Sequence, residues 1–566
     1  MSSSTDQPTD PTAPARTATD AAVEALAASG VDHVFGLPGT TIMGLLDVLG
    51  RHDGLRYLSV RHEQAAAHMA DGFWRASGRV AACLASRGPG AANLTIGLHN
   101  AYAESIPLLA IVGQVPDALA HREAFEEMDL LGLFRPVTKW SAEVHDAERV
   151  GELVHRAART ATTGRPRPTF VSLPLDVLQA PVRGGPVTVS ATPSAPAPAP
   201  EAVAAAAAVL RAARRPVIVA GGGMLRPAWC TALVETAEYL QAPVVTTWMR
   251  KNAYPNDHPL YAGTLGYGAH PAAERAVAEA DVLLALGCRF SEFTTKRYQL
   301  VAPGTAIVQV DVDADEIGAV YPVTQGVTAD AWEFCRQLAD ALSEHRAPDA
   351  VRDRAGRLRH EAVTESEPPT TAPDHPGGVP SAELVAALRR VVARHDPIVV
   401  QDTHSFGPWL ARYLDLHRPG THYGAAGGAM GWGFPAALGI QAARPDERVV
   451  AVCGDGSFWM VAQELETAVR ERLPVVTVVT NNFAYGNTRD RQTHAHGGRY
   501  VGVFYDNPDF AEFARLCGAH GERVEHPDQL DAALERALAS GRPAVVDVIQ
   551  HRHEGLPGDL QPLPAR

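Results

Sequence analysis

No uninterrupted apolar run in this chain reaches the ~18 residues that a membrane-spanning helix needs. Positive charge is in deficit as well: 50 Lys and Arg stand against 64 Asp and Glu, a net charge of -14. That balance argues against a general nucleic-acid surface. Cysteine is sparse, with six residues (Cys83, Cys230, Cys288, Cys335, Cys453, Cys517) and no C-x-x-C pair. Several lie inside apolar runs, so they are expected as reduced core residues and not as disulfides or zinc ligands. The N-terminus, MSSSTDQPTDPTAPARTATD, lacks the basic-then-apolar order of a secretory signal. Without such a signal, the glycosylation pattern at Asn93-Leu94-Thr95 carries no meaning. A cytoplasmic protein with neither membrane nor nucleic-acid partners is the expectation.

What is present is length and repetition. At 566 residues the chain exceeds a single core, and ~150 residues per domain suggests three or four units. A Pro/Ala/Ser-rich stretch at 184–200 and a segment at 346–380 divide it; the latter holds a charged helical pattern and then a Pro/Gly run. The expected units are 15–183, 201–345 and 381–550, followed by a tail at 551–566.

Each unit alternates short β-branched runs with Ala/Leu-rich helical patterns. The runs are VDHVFGL, RVAACLAS, IPLLAIVGQ and PTFVSLP in the first, RPVIVAGGG, APVVTTW, ADVLLALG and AIVQVDVD in the second, and PIVVQD, RVVAVCGDG, LPVVTVVTNN and PAVVDVIQ in the third. Nearly continuous apolar strands mark parallel sheets covered on both faces. The predicted fold class is α/β, with three doubly wound parallel-sheet domains.

In such sheets ligands bind beyond the carboxyl ends of the strands. Two polar motifs stand there in the third unit: Gly454-Asp455-Gly456 after one strand and Asn481-Asn482 after the next. One carboxylate plus carbonyl oxygens suits Mg²⁺ or Ca²⁺ better than zinc, and a sparsely liganded Mg²⁺ usually shares phosphate oxygens. Glycines admit a close backbone approach, and the helix that follows aims its N-terminal amides at an anion. Alone, Gly-Asp-Gly is most often a turn. With 27 positions, a helix and a strand between Asp455 and Asn482, the motifs together describe a seat for a metal diphosphate.

This arrangement resembles the signature of thiamine diphosphate-dependent enzymes, and over nearly the whole chain the pattern is similar to the acetolactate synthase large subunit. The resemblance names the three units as pyrimidine-binding, central and diphosphate-binding domains. It implies Mg²⁺ held by Asp455, Asn482 and the main-chain oxygen of Ala484. It also places Gly454, Gly456, Ser457, Tyr485 and Gly486 around the cofactor, together with His404, Ser405 and Phe406 from QDTHSFGPW (401–409). GAAGGAMGWGFPAALGIQAARP (424–445) resembles the family's glycine-rich segment. There Gly428 precedes Met430, the apolar residue that wedges between the cofactor's two rings.

The first unit supplies the acid. RHEQAAAHMADGFWRASG matches the family segment that carries its glutamate, here Glu63. A glutamate in a helix's first turn is ordinarily a solvated charge. In the family it meets the pyrimidine nitrogen and favours the tautomer that takes the thiazolium proton, help worth ~10²–10⁴-fold. By the same resemblance Gly39 and Thr40 face the reacting carbons, Asn93 and Gln114 lie near the cofactor, and Phe125 lines the substrate entrance. The family builds its site between two chains, so a homodimer is the minimum expectation and a tetramer a common outcome.

Two features separate this chain from acetolactate synthases. Asn487 and Thr488 follow Gly486 where apolar residues are usual, and Arg491 replaces a tryptophan. Ser405 and Phe406 stand in place of a Gln-His pair. A donor-rich pocket suits a substrate with more oxygen or charge than two pyruvates. The leading expectation is a decarboxylase/carboligase that acts on a 2-oxo acid such as pyruvate and passes the acyl carbanion to a carbonyl acceptor. A 2-hydroxyacyl-CoA or oxalyl-CoA lyase and a simple 2-oxo acid decarboxylase are the alternatives. A non-catalytic scaffold would be expected to lose Glu63 or the metal ligands. The central unit's VAGGGM, LGCRFSEF and VDVDADEIG leave FAD, ADP or no ligand open there.

Overall fold

The computed structural model describes residues 15–191, 193–369 and 377–556. Most of the N-terminal stretch read for a signal, most of the Pro/Gly run before 380 and the tail beyond 556 lie outside the described residues. Three six-stranded sheets follow one another, and every strand pair within them is parallel.

The first sheet runs, in spatial order, β2 (Arg56–Ser59), β1 (His33–Gly36), β3 (Ala82–Ala85), β4 (Leu109–Gln114), β6 (Thr169–Pro174) and β5 (Trp140–Glu143). The second runs β12 (Gln325–Thr328), β11 (Ala306–Asp311), β10 (Val282–Leu286), β7 (Pro216–Ala220), β8 (Val244–Thr246) and β9 (Tyr261–Thr264). The third runs β14 (His422–Gly424), β13 (Ile398–Gln401), β15 (Val449–Gly454), β16 (Val476–Asn481), β18 (Ala544–Ile549) and β17 (His520–Val524). The outer two sheets share one strand order. The middle one has the order of dinucleotide-binding folds, with its reversal point between β7 and β10.

The helices that matter for the site are α1 (Glu63–Ser77), α2 (Pro89–Glu104), α3 (Asp349–Glu365), α4 (Gly433–Ala443), α5 (Asp455–Trp459), α6 (Glu464–Glu471) and α7 (Gly486–His496). Helix α3 is the charged pattern of segment 346–380, and it packs on the central domain through Val351, Ala355, Leu358 and Ala362. Helices α1 and α4 weld the first and third domains together. A Cβ on Gly72 would fall 2.1 Å from the Ala436 carbonyl oxygen, and one on Gly439 2.0 Å from that of Met69. Backbone therefore touches backbone, and one apolar core runs from Phe35 and Phe73 to Phe434 and Phe458.

A second joint ties all three domains. Arg75 and Arg250 both donate to Glu104 Oε2 and both reach the Gly424 carbonyl oxygen. Burial alone would raise the Glu104 pKa, but Arg250 and Arg75 overcome it and hold the group ionised below its ordinary range. All six cysteines are free, and only Cys517 is less than buried. No helix among the described residues is long and apolar enough to cross a membrane.

Candidate functional site

Strand β15 ends at Gly454, and Asp455 opens α5 at 2% exposure. Its Oδ1 accepts from the Gly456 amide (2.9 Å) and the Tyr505 hydroxyl (3.1 Å); Oδ2 accepts from the Phe483 amide (2.7 Å) and Asn507 Nδ2 (2.9 Å). Every donor is neutral, and no Lys, Arg or His among the described residues pairs with this carboxylate. Burial pushes its pKa up to about 6. A buried anion without a counter-ion is what a hard cation would relieve, so the seat fits Mg²⁺.

The next strand supplies the rest. Asn482 follows β16, donates Nδ2 to Ser405 Oγ (3.3 Å) and accepts from the Ala484 amide at Oδ1 (3.1 Å). Segment 483–485 pairs antiparallel with 503–505 through Tyr485 N to Val503 O and Tyr505 N to Phe483 O. In that register Ala484 and Phe504 form a pair that shares no hydrogen bonds, so the Ala484 amide and carbonyl turn away from the ribbon. The Ala484 amide meets Asn482 Oδ1 on that side, and the carbonyl faces the same way.

Small residues leave the room. A Cβ on Gly454 would lie 2.8 Å from His404 Cβ, and one on Gly486 2.6 Å from Ser405 Oγ. His404 Nε2 is buried without a partner, and burial pushes the imidazole pKa down to about 3, so the ring is neutral. Ser457 donates to the Thr403 carbonyl, Tyr485 packs edge-on against Tyr505, and Phe406 is buried in the third domain's core. Gly428 has φ +78° with open space where a Cβ would stand, and Met430 is half-buried just before α4.

In the first domain, Glu63 is the first residue of α1 and 5% exposed. Asn93 Nδ2 donates to its Oε2 at 2.9 Å. Gly39 opens a short turn whose Thr41 shares a hydrogen bond with Ser86, and Thr40 is exposed beside it. Gln114 ends β4 and spends its amide on the Met128 carbonyl, which turns it toward loop 115–128. Phe125 is 77% exposed. Among the described residues no hydrogen bond or ion pair joins Glu63 to the Asp455 seat within the chain.

Family models match all three domains: residues 16–133 fit the N-terminal TPP-binding domain of thiamine pyrophosphate enzymes, 203–338 the central domain and 402–548 the C-terminal TPP-binding domain. The chain belongs to this family. It is 35% identical to a probable acetolactate synthase large subunit of Methanocaldococcus jannaschii, over 95% of this chain and 92% of that protein. It is 33% identical to the acetolactate synthase isozyme 3 large subunit of Escherichia coli, over 92% of each. Against the acetolactate synthase large subunit of Corynebacterium glutamicum the identity is 32%, over 94% of this chain and 86% of that one. As a thiamine pyrophosphate enzyme of this kind, the chain is a cofactor-dependent catalyst that forms C–C bonds.

Sequence reasoning missed Tyr505 and Asn507, which donate to the Asp455 carboxylate. They follow Asn482 by more than twenty positions in an irregular segment with no periodicity to mark them. It also missed Tyr267, whose hydroxyl donates to Asn487 Oδ1 (3.3 Å) from the central domain. Asn487 and Arg491 sit one turn apart on α7, with Thr488 beside them; Thr488 and Arg491 are exposed.

A cavity of about 550 Å³ opens at the central sheet's reversal point, lined by Gly222, Gly223, Gly287, Arg289 and Asp311. Three of its lining groups are buried and without partners: Glu104 Oε1, Arg165 Nη2 and His422 Nδ1. Orphaned donors and acceptors at a glycine-lined strand edge fit a polar, nucleotide-sized ligand.

Proposed function

We propose that the chain is a cytoplasmic, thiamine diphosphate- and Mg²⁺-dependent enzyme that decarboxylates a 2-oxo acid such as pyruvate and transfers the acyl unit to a carbonyl acceptor. The observation that carries this reading is the Asp455 seat: a buried carboxylate with no cation of its own, beside Asn482 and the outward-turned Ala484 carbonyl. Asp455, Asn482 and Ala484 would hold the metal, with Gly456, Ser457 and the first amides of α5 toward the diphosphate. When bound, the cofactor supplies an acidic carbon and an electron sink for decarboxylation.

Glu63, steadied by Asn93, holds the proton-relay position at the pyrimidine end. From the family resemblance, we take the working site to lie between two chains. Exposed Met43, Phe125, Trp459 and Met460 give apolar surface for that association, a dimer or larger. Asn487, Thr488 and Arg491 would line the substrate pocket. Arg491 has no ion pair or hydrogen bond among the described residues, so its charge is free to meet an anionic substrate group. We further propose FAD, in a non-redox role, for the central cavity.

Two experiments test this. Cofactor-dependent CO₂ release from a panel of 2-oxo acids, with product identification by mass spectrometry, names donor and acceptor; absence of release across the panel from wild type contradicts the reading. Visible absorbance of the purified protein near 450 nm reads the flavin directly.

A further inference from the structure

We propose that Glu464, in the third domain, is a positioning residue for Glu63 in the first. The inference rests on the role given to Glu63 above.

Glu464 is the first residue of α6 and has no solvent exposure. Both of its carboxylate oxygens accept from the Arg61 amide, at 3.0 and 3.2 Å, and Oε2 accepts from Thr467 Oγ1 at 2.6 Å. The His62 amide also donates to it. Arg61 and His62 are the two residues just before Glu63, at the point where the chain turns into α1. The amides at and before a helix start lack intrahelical partners, and here an acid from another domain satisfies two of them. Its charge also faces the N-terminal ends of both α1 and α6, where a negative group is favoured.

Two neighbouring contacts fix the same short stretch. Gln64 Nε2 donates to the Met460 carbonyl at 3.0 Å, and Arg470 Nη2 to the Ser59 carbonyl at 2.6 Å. On its other side the Glu63 carboxylate is boxed by α2: Asn93 holds Oε2, and Gly90 leaves Oε1 only the space a missing Cβ provides. The carboxylate of Glu63 is thus set by α2 at its tip and by Glu464 at its root.

Interdomain adhesion alone does not require this arrangement. The backbone contacts of α1 with α4 and the Arg75–Glu104–Arg250 joint already bind the domains. A carboxylate with no exposure is costly to keep there, and burial pushes its pKa up to about 7. Its bonds converge on the two amides that fix where Glu63 begins, and a displacement of ~1 Å at a reacting group costs on the order of 10²-fold in rate.

The test uses holoenzyme loaded with thiamine diphosphate and Mg²⁺, in wild type, Glu464→Gln, Glu464→Ala, Glu63→Gln and the control Glu383→Gln, an exposed acid in the first turn of another third-domain helix. Readouts are kcat and KM for CO₂ release, cofactor Kd by calorimetry, and exchange of the bound cofactor's C2 proton for deuterium by NMR. Expected are a loss of about ten-fold in kcat for Glu464→Gln and about a hundred-fold for Glu464→Ala. C2 exchange slows in step, while KM and cofactor Kd stay within about three-fold and Glu383→Gln matches wild type. If Glu464→Ala does not fold, Glu464→Gln decides alone. Wild-type exchange in Glu464→Gln, beside a slow Glu63→Gln, overturns the inference. So does a rate loss that follows cofactor Kd with exchange intact in the bound fraction. Wild-type exchange in Glu63→Gln removes the parent reading instead.

Discussion

Asn93 donates its side-chain amide to Glu63 Oε2 at 2.9 Å, across the gap between α2 and the first residue of α1. The other oxygen, Oε1, lies 2.9 Å from where a Cβ on Gly90 would stand. The acid is held from one side and excluded from the other by a single helix.

Gly90→Ala therefore separates stability from activity. Gly90 is the second residue of α2, where alanine gains only part of the ~1 kcal/mol it holds over glycine in a helix interior, and the flexible Glu63 tip can yield to the new methyl. Thermal unfolding is expected at or above the wild-type temperature, with the CO₂-release rate at least ten-fold lower. A variant that keeps full rate shows that the Glu63 carboxylate has room to spare.

The contact of α1 with α4 makes the opposite prediction. Gly439→Ala drives a methyl into the Met69 carbonyl, which is backbone and cannot rotate away. Overpacking of this kind costs ~1–3 kcal/mol, so differential scanning calorimetry should show a clearly lower Tm. An unchanged Tm would mean the two domains part easily at this crossing.

His68 predicts a pH dependence. It lies in α1 with no solvent exposure and no partner at either ring nitrogen, and burial pushes its pKa down to about 3. Unfolded, it titrates near 6.5. Between about pH 6.5 and 3 the unfolded chain takes up a proton that the folded chain refuses, so stability falls as pH falls through that window. The slope is ~1.4 kcal/mol per pH unit from this group. His68→Leu should lose less Tm than wild type between pH 7 and pH 5.

Tyr267 fixes Asn487 from the central domain, next to exposed Thr488 and Arg491 on α7. Arg491→Met is expected to lower kcat/KM at least ten-fold for a donor or acceptor bearing a second carboxylate, and to change the pyruvate decarboxylation rate less than two-fold; hydrogen-bonded charges are worth ~1.5–3 kcal/mol. Equal losses for both substrates would remove Arg491 from the pocket.

The sequence made the four inner strands of each sheet legible and hid the two at the edges. Inner strands such as β3, β4, β15 and β16 are buried on both faces and so read as unbroken apolar runs. Edge strands β5, β12 and β17 carry partly exposed, mixed patterns, and β14 is three residues long. Strand order was hidden too: the outer and middle domains alternate strands and helices in the same way along the chain yet assemble in different orders. The boundary positions of Asp455, Asn482 and Glu63 could be read because each carries a distinctive motif where a strand or helix begins or ends. Glu464 could not, since an acid in a helix's first turn looks solvated until another domain's amides are seen against it.

The metal-dependent cofactor seat at Asp455 is the center of this account, and calorimetric titration of thiamine diphosphate into the purified protein tests it most directly. Saturable binding at one site per chain is expected with Mg²⁺, with little or none in chelator, and a loss of at least ~100-fold in affinity for Asp455→Ala. Absence of binding with Mg²⁺ present, or equal affinity for wild type and Asp455→Ala, would contradict it.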